Sequence, residues 1–138
     1  MEWILPIETF SEANGVKKKR KNGKKTSEHW SDKKKRHDYQ KFRIAHWWIV
    51  ERPEIILPCT IKLTRVSPRT LDDDNLPMTF KWIRDAIADQ IHPGLAPGRA
   101  DDDKNINWQY DQEKGKPKSI KIQIFLQSTL SRISILDS

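Results

Sequence analysis

The chain has 138 residues, of which 36% are hydrophobic and 33% charged, and a formal net charge of +7. That size fits one domain with one modest core, and no apolar run is long enough to span a bilayer, so a helical membrane protein is excluded. Cys59 is the only cysteine, which rules out an intrachain disulfide or a cysteine-rich zinc site and suits a small buried hydrophobe.

The first residues, Met1-Glu2-Trp3-Ile4-Leu5-Pro6, carry an acid where a secretory signal carries bases, and their apolar stretch is short, so a cytoplasmic protein is expected. Residues 3–7 read as a short strand that Pro6 demotes to a sheet edge or an irregular position. Residues 11–27 are rich in Lys, Gly, Asn and Ser without apolar periodicity, which predicts a mobile basic loop. Ser31 then reads as the N-cap of a first helix, with Phe42, Ala45 and Ile49 at helical spacing and Pro53 as its stop. Cys59, Ile61 and Leu63 alternate with Thr60, Lys62 and Thr64, the pattern of a half-buried strand running toward Asp72.

A second helix fits residues 77–91, with Pro77 in its first turn and Pro93-Gly94 ending it. Phe80, Ile83, Ile87 and Ile91 form its apolar stripe, and Lys81, Asp85 and Asp89 lie on a separate face expected to point outward. After a loop over residues 92–104, Ile106, Trp108 and Tyr110 mark a third strand, and Ile120, Ile122, Ile124 and Leu126 a fourth. The turn around Gly115 and Pro117 predicts that these two strands form a hairpin, with residues 128–138 a tail that caps the sheet or reaches a partner chain. The expected architecture is therefore a single α/β domain of the α+β type over residues 1–138, with a small mixed or antiparallel sheet of about four strands and two main helices.

Charge is concentrated: residues 17–36 hold 11 Lys or Arg against Glu28 and Asp32, a local sum of +9, so the remainder carries −2. Such a segment on a slightly acidic body is what a polyanion binder presents, because each cation that neutralises a phosphate releases condensed counterions. The candidate nucleic-acid contacts are Lys17, Lys18, Lys19, Arg20, Lys21, Lys24, Lys25, Lys33, Lys34, Lys35 and Arg36. The plainer alternative is a solvated, disordered loop or a nuclear-localisation-like patch.

Two acidic runs, Asp72-Asp73-Asp74-Asn75 and Asp101-Asp102-Asp103, flank the second helix. Magnesium takes oxygen ligands, commonly carboxylates from separate segments completed by water and phosphate oxygens. If the second and third strands are antiparallel neighbours, the end of one and the start of the next share a sheet edge and the two runs meet there. Taken singly, each run reads more readily as a solvated turn. A calcium loop opening at Asp101, Asp103 and Asn105 fails, since Ile106 stands where the turn needs Gly and Gln112 where a bidentate Glu belongs. His29, His37, His46 and His92 show no paired metal spacing, and Trp30, Trp47, Trp48 and Trp82 read mainly as core or interface.

The order Asp72-x-Asp74-Asn75-Leu76, then Lys81-x-x-x-Asp85, then Asp102-Asp103-x-x-Ile106 leading into a strand resembles the RusA family of Holliday junction resolvases, over about residues 57–126. The resemblance implies a homodimeric, Mg2+-dependent endonuclease, with Mn2+ as a substitute, that resolves four-way DNA junctions by paired nicks in recombination and repair. It also implies a catalytic set of Asp72, Asp74, Asp103 and Lys81, with Asp72, Asp74, Asp103 and the neighbouring Asp102 as metal ligands. The competing expectation is a non-catalytic nucleic-acid-binding protein that uses segment 17–36; it explains the charge but leaves the ordered acidic motifs without a purpose.

Overall fold

The computed structural model describes residues 1–11, 17–19, 25–94 and 103–126, with 17–19 and 25–27 described by their backbone. The elements in chain order are β1 (Glu2–Leu5), β2 (Lys17–Lys19), β3 (Lys25–Ser27), α1 (Trp30–Glu51), β4 (Cys59–Ser67), a 3-10 turn (Asp73–Asn75), α2 (Leu76–Thr79), α3 (Lys81–Ile91), β5 (Ile106–Lys114) and β6 (Ser119–Leu126). Four strands form one mixed sheet in the order β1-β6-β4-β5, and β2 and β3 form a separate antiparallel pair. Among the described residues no helix is long and apolar enough to cross a membrane.

The period-two alternation carries through to burial in β5 and β6. β4, expected to be half-buried, is instead buried on both faces, with Thr60 and Thr64 covered as well as Cys59, Ile61 and Leu63, because it lies between two neighbouring strands. Cys59, Ile61 and Leu63 of β4 register with Ile106, Trp108 and Tyr110 of β5 and with Leu126, Ile124 and Ile122 of β6, so all nine share one face. That face meets Ile44 and Trp47 of α1 and Ile83 and Ile87 of α3, together with Phe80, in a single core. Trp3 of β1 joins it through an edge-to-face contact with Trp47 at 5.2 Å between centroids. The opposite face carries charge, with Lys62 against Asp111 at 3.3 Å and Lys121 against Glu113 at 3.1 Å. Cys59 is buried at the start of β4, as its composition suggests.

Strand direction departs from expectation in two places. β4 and β5 are parallel, with Cys59 opposite Ile106 and Ser67 opposite Lys114. The cause is a helical crossover: α3 packs on the core and carries the chain back to the end where β4 began, so the next strand starts there and runs alongside β4. The expected hairpin of the last two strands is also absent, because β4 lies between β5 and β6. Their short connection passes over the end of β4, where the Gly115 N–H donates to Ser67 O at 3.1 Å. A Cβ at Gly115 would stand 3.0 Å from Val66 Cγ1, so the crossing is tight enough to favour glycine.

Three local expectations also change. Residues 17–19 and 25–27 pair as short strands, Lys17 with Ser27 and Lys19 with Lys25, where an irregular loop was expected. The Asn22-Gly23 dipeptide between them is a strong hairpin signal in the sequence. The N-cap of α1 is His29, whose Nδ1 accepts the Ser31 N–H at 3.2 Å, and Arg52 closes the helix in the left-handed region at φ 44° just before Pro53. The buried face of α1 is His37, Gln40, Ile44 and Trp47, while Phe42 and Ile49 are each 67% exposed. Polar docking fixes that rotation: Gln40 Nε2 donates to Glu8 O at 3.1 Å, and His37 stacks on Trp82 at 4.0 Å.

Candidate functional site

The first acidic run begins a few residues beyond β4. Asp72 has extended backbone and its carbonyl accepts the Asn75 N–H at 2.9 Å, so the chain turns through a 3-10 helix directly into α2. Pro77 sits in the first turn of α2, where its missing N–H costs nothing. Asp72, Asp73 and Asp74 are all exposed on this turn. The single helix expected over 77–91 breaks at Phe80, with φ −101° and ψ 2°, and this residue is fully buried and stacked on Tyr110 at 5.9 Å.

The turn hangs on a backbone fastened at both sides. Before it, Gln112 of β5 makes two hydrogen bonds to Leu71, accepting its N–H at 2.8 Å and donating to its carbonyl at 2.7 Å. Beside Gln112 on the same sheet face, Arg65 of β4 donates to Arg69 O at 2.6 Å and to Thr9 Oγ1 at 3.1 Å. Burial disfavours the Arg65 cation and lowers its pKa, with the charge of Glu8 opposing that. After the turn, the Thr79 hydroxyl donates to Phe10 O, tying α2 to the segment that follows β1. Nothing in the charge pattern points to this support, but Gln112 does stand out in sequence as a polar residue at the fourth inward position after Ile106, Trp108 and Tyr110.

Lys81 is exposed at the start of α3, with its Nζ 5.1 Å from the centre of the Trp82 ring, and Lys41 of α1 approaches the same ring at 5.4 Å. A depression of about 180 Å3 beside Lys81 is lined also by Pro77, Met78, Arg84 and Tyr110. Arg84 donates to the Tyr110 hydroxyl at 2.7 Å and lies 5.1 Å over the Trp108 ring. Asp85, expected on an outward face with Lys81, is instead buried at 8% exposure, in the wall of that depression with Arg84 and Tyr110.

Asp103 lies at the other end of the sheet. It precedes β5, whose first residue registers with Cys59, whereas Asp72 follows Ser67 at the far end of β4. Nine parallel residue pairs at about 3.3 Å per residue put roughly 26 Å between those strand ends. The expected meeting of the acidic runs within one chain is therefore overturned by the parallel pairing, which sends the two strand ends to opposite edges. Asp101 and Asp102 lie outside the described residues. Among the described residues no group of three or more His, Cys, Asp or Glu side chains stands close enough together to hold a metal ion.

Asp103 has its own partners. Its Oδ1 accepts the Asn105 N–H at 2.8 Å, and its Oδ2 lies 2.5 Å from His92 Nε2 at the end of α3. The Asn105 backbone bond, followed by the His92 contact, holds its carboxyl below the ordinary range. Burial, and to a lesser degree the nearby Asp103 charge, pushes the Cys59 thiol up.

Of the candidate nucleic-acid contacts, Lys33 and Lys35 are exposed on the first turns of α1, and Lys34 is exposed while paired with Asp38 at 2.6 Å. Lys17, Lys18, Lys19 and Lys25 belong to the β2-β3 pair, and Arg20, Lys21 and Lys24 lie outside the described residues. Arg36 is withdrawn from the surface: it grips Glu28 through two bonds of 2.8 and 3.0 Å and covers the Phe10 ring at 4.5 Å. That bidentate contact lowers the Glu28 pKa. The tail over residues 128–138 also lies outside the described residues. No protein-family model matches the chain, and no curated protein and no solved structure shows a significant match to it.

Proposed function

We propose that the protein is a homodimeric, Mg2+-dependent endonuclease of branched DNA, with four-way junctions as its substrate, as the resemblance to the RusA resolvases implies. The observation that carries this reading is the Asp72–Asp74 turn, where carboxylates are exposed on a backbone anchored on both sides, within a strongly basic chain. Asp72 and Asp74 are hard oxygen donors of the kind Mg2+ or Mn2+ takes, and one or two carboxylates suffice when phosphate and water complete the shell. Bound there, the ion would activate a water and offset charge on the scissile phosphate. Lys81, exposed at the start of α3, would neutralise a phosphate oxygen, and the exposed Lys33 and Lys35 would bind the DNA backbone.

Two copies enter this reading for a geometric reason. With β4 parallel to β5, Asp72 and Asp74 can share an ion with Asp103 only if Asp103 comes from a second chain. A two-fold symmetric homodimer with antiparallel protomers supplies that arrangement twice, once for each nick. Asp102, adjacent to Asp103 in sequence, would accompany it.

The test is cleavage of a synthetic four-way junction in Mg2+, with linear duplex as control. Asp74→Asn should bind the junction with unchanged affinity and cut it at least about 100-fold more slowly. Wild-type cutting by that variant would remove Asp74 from the metal site. Junction binding with no cutting by the wild type would favour a non-catalytic nucleic-acid-binding protein built on the same basic segment.

A further inference from the structure

The acidic turn has no regular sheet partner on the β5 side, yet the residue before Asp72 is bonded as if it had one. Gln112 presents its amide edge to Leu71 and satisfies both its N–H and its carbonyl, the pair of bonds a neighbouring strand would make. We propose that Gln112 is a positioning residue for the Asp72–Asp74 site: its carboxamide stands in for a strand and sets the direction in which the turn presents its carboxylates. This inference rests on the nuclease reading above for its catalytic consequence, but not for the clamp itself.

Three features make positioning, rather than general packing, the role of this side chain. Both bonds go to one residue, Leu71, immediately before Asp72, so losing them frees the backbone from which the carboxylates are hung. Gln112 lies in register with Arg65, whose guanidinium holds Arg69 O at 2.6 Å, so adjacent strands grip the same short segment at alternate residues. The apolar core lies further along β5, at Ile106, Trp108 and Tyr110, so truncating Gln112 removes polar contacts and leaves those residues in place. Metal ligands and oxyanion contacts lose force quickly when misplaced by an ångström, which is why a side chain that touches no substrate can govern turnover.

The experiment uses the full chain with Gln112→Ala and Gln112→Glu. The Leu71 amide, which donates to Gln112 Oε1, should exchange with deuterium at least tenfold faster in Gln112→Ala. Mn2+ alone, titrated by the loss of free-ion EPR signal, should bind several-fold more weakly. On four-way junctions kcat should fall about tenfold with little change in KM. Gln112→Glu keeps the accepting oxygen but loses the donor to Leu71 O, so it should recover part of the Leu71 protection, Mn2+ affinity and kcat. A folded Gln112→Ala protein with wild-type Leu71 exchange, or with faster exchange but unchanged Mn2+ affinity and kcat, overturns the proposal. If the wild type cut no DNA, the nuclease reading would fall, and Leu71 exchange with Mn2+ affinity would still decide the role of Gln112.

Discussion

The two ends of the central sheet hold acids of the same type in different circumstances. At the Ser67 end, Asp72, Asp73 and Asp74 are exposed, and the support goes to the backbone beneath them through Gln112, Arg65 and Thr79. At the Cys59 end, Asp103 is itself the bonded group, held by the Asn105 N–H and by His92. One end keeps carboxylate oxygens available and fixes where they stand; the other fixes its carboxylate directly and orients a histidine with it. An acidic run in sequence says nothing of which arrangement it will adopt, because both place Asp in a turn at a strand end.

The largest expected effect breaks or confirms the separation of those ends. If Asp103 reaches the Asp72–Asp74 edge only from a second chain, Asp74→Asn and Asp103→Asn should each reduce junction cleavage at least about 100-fold, yet a mixture of the two variants should regain activity. In a mixed dimer one of the two shared edges has all its aspartates intact, while the other has lost both Asp74 and Asp103. Co-purified mixed dimers that nick one strand of a junction would establish the shared site. Failure of the mixture to recover would confine the chemistry to one chain.

A smaller effect concerns stability at the Ser67 end. Gln112→Ala removes two hydrogen bonds of about 1 kcal/mol net each, so the urea midpoint should fall by an amount equivalent to about 1–2 kcal/mol. Asp74→Asn, on an exposed turn, should leave that midpoint almost unchanged. Equal losses for the two variants would mean that the exposed carboxylates are themselves structural.

The smallest effect is a pH dependence at the Cys59 end. The folded-state pKa of Asp103 lies below its ordinary 3.8, so its contribution to stability is complete above that value and disappears as pH falls through the folded-state pKa. Asp103→Asn should therefore flatten the acid limb of a stability-against-pH curve below about pH 4, while Asp74→Asn leaves that limb in place. An acid limb identical in the wild type and Asp103→Asn would show that the contacts with Asn105 and His92 do not favour the ionised carboxylate.

Much of the local structure was legible in sequence. Alternation at Cys59, Ile61 and Leu63 and again at Ile120, Ile122 and Ile124 defined both strands and their apolar faces, because side-chain direction along a strand has a period of two whatever its neighbours are, but not the burial of Thr60 and Thr64 on the other face of β4. The first strand lies at a sheet edge, though it runs over Glu2–Leu5 and stops before Pro6, and Asp72 falls a few residues beyond the end of β4. Phe80, Ile83 and Ile87 were correctly placed inside, because a stripe that apolar has one stable destination. The break at Phe80 was not legible, since dihedral angles at a kink answer to packing against Tyr110, which is distant in sequence.

What sequence determined by itself was therefore periodicity, charge and the order of motifs, all of which depend on near neighbours. Tertiary structure decided the direction of β5, the insertion of β4 between β5 and β6, and the choice between two helical faces of α1, because each depends on partners far along the chain. It also decided the fate of the acidic runs. A crossover helix that returns the chain to the start of β4 makes the next strand parallel, and a parallel strand carries Asp103 to the opposite end of the sheet from Asp72 and Asp74.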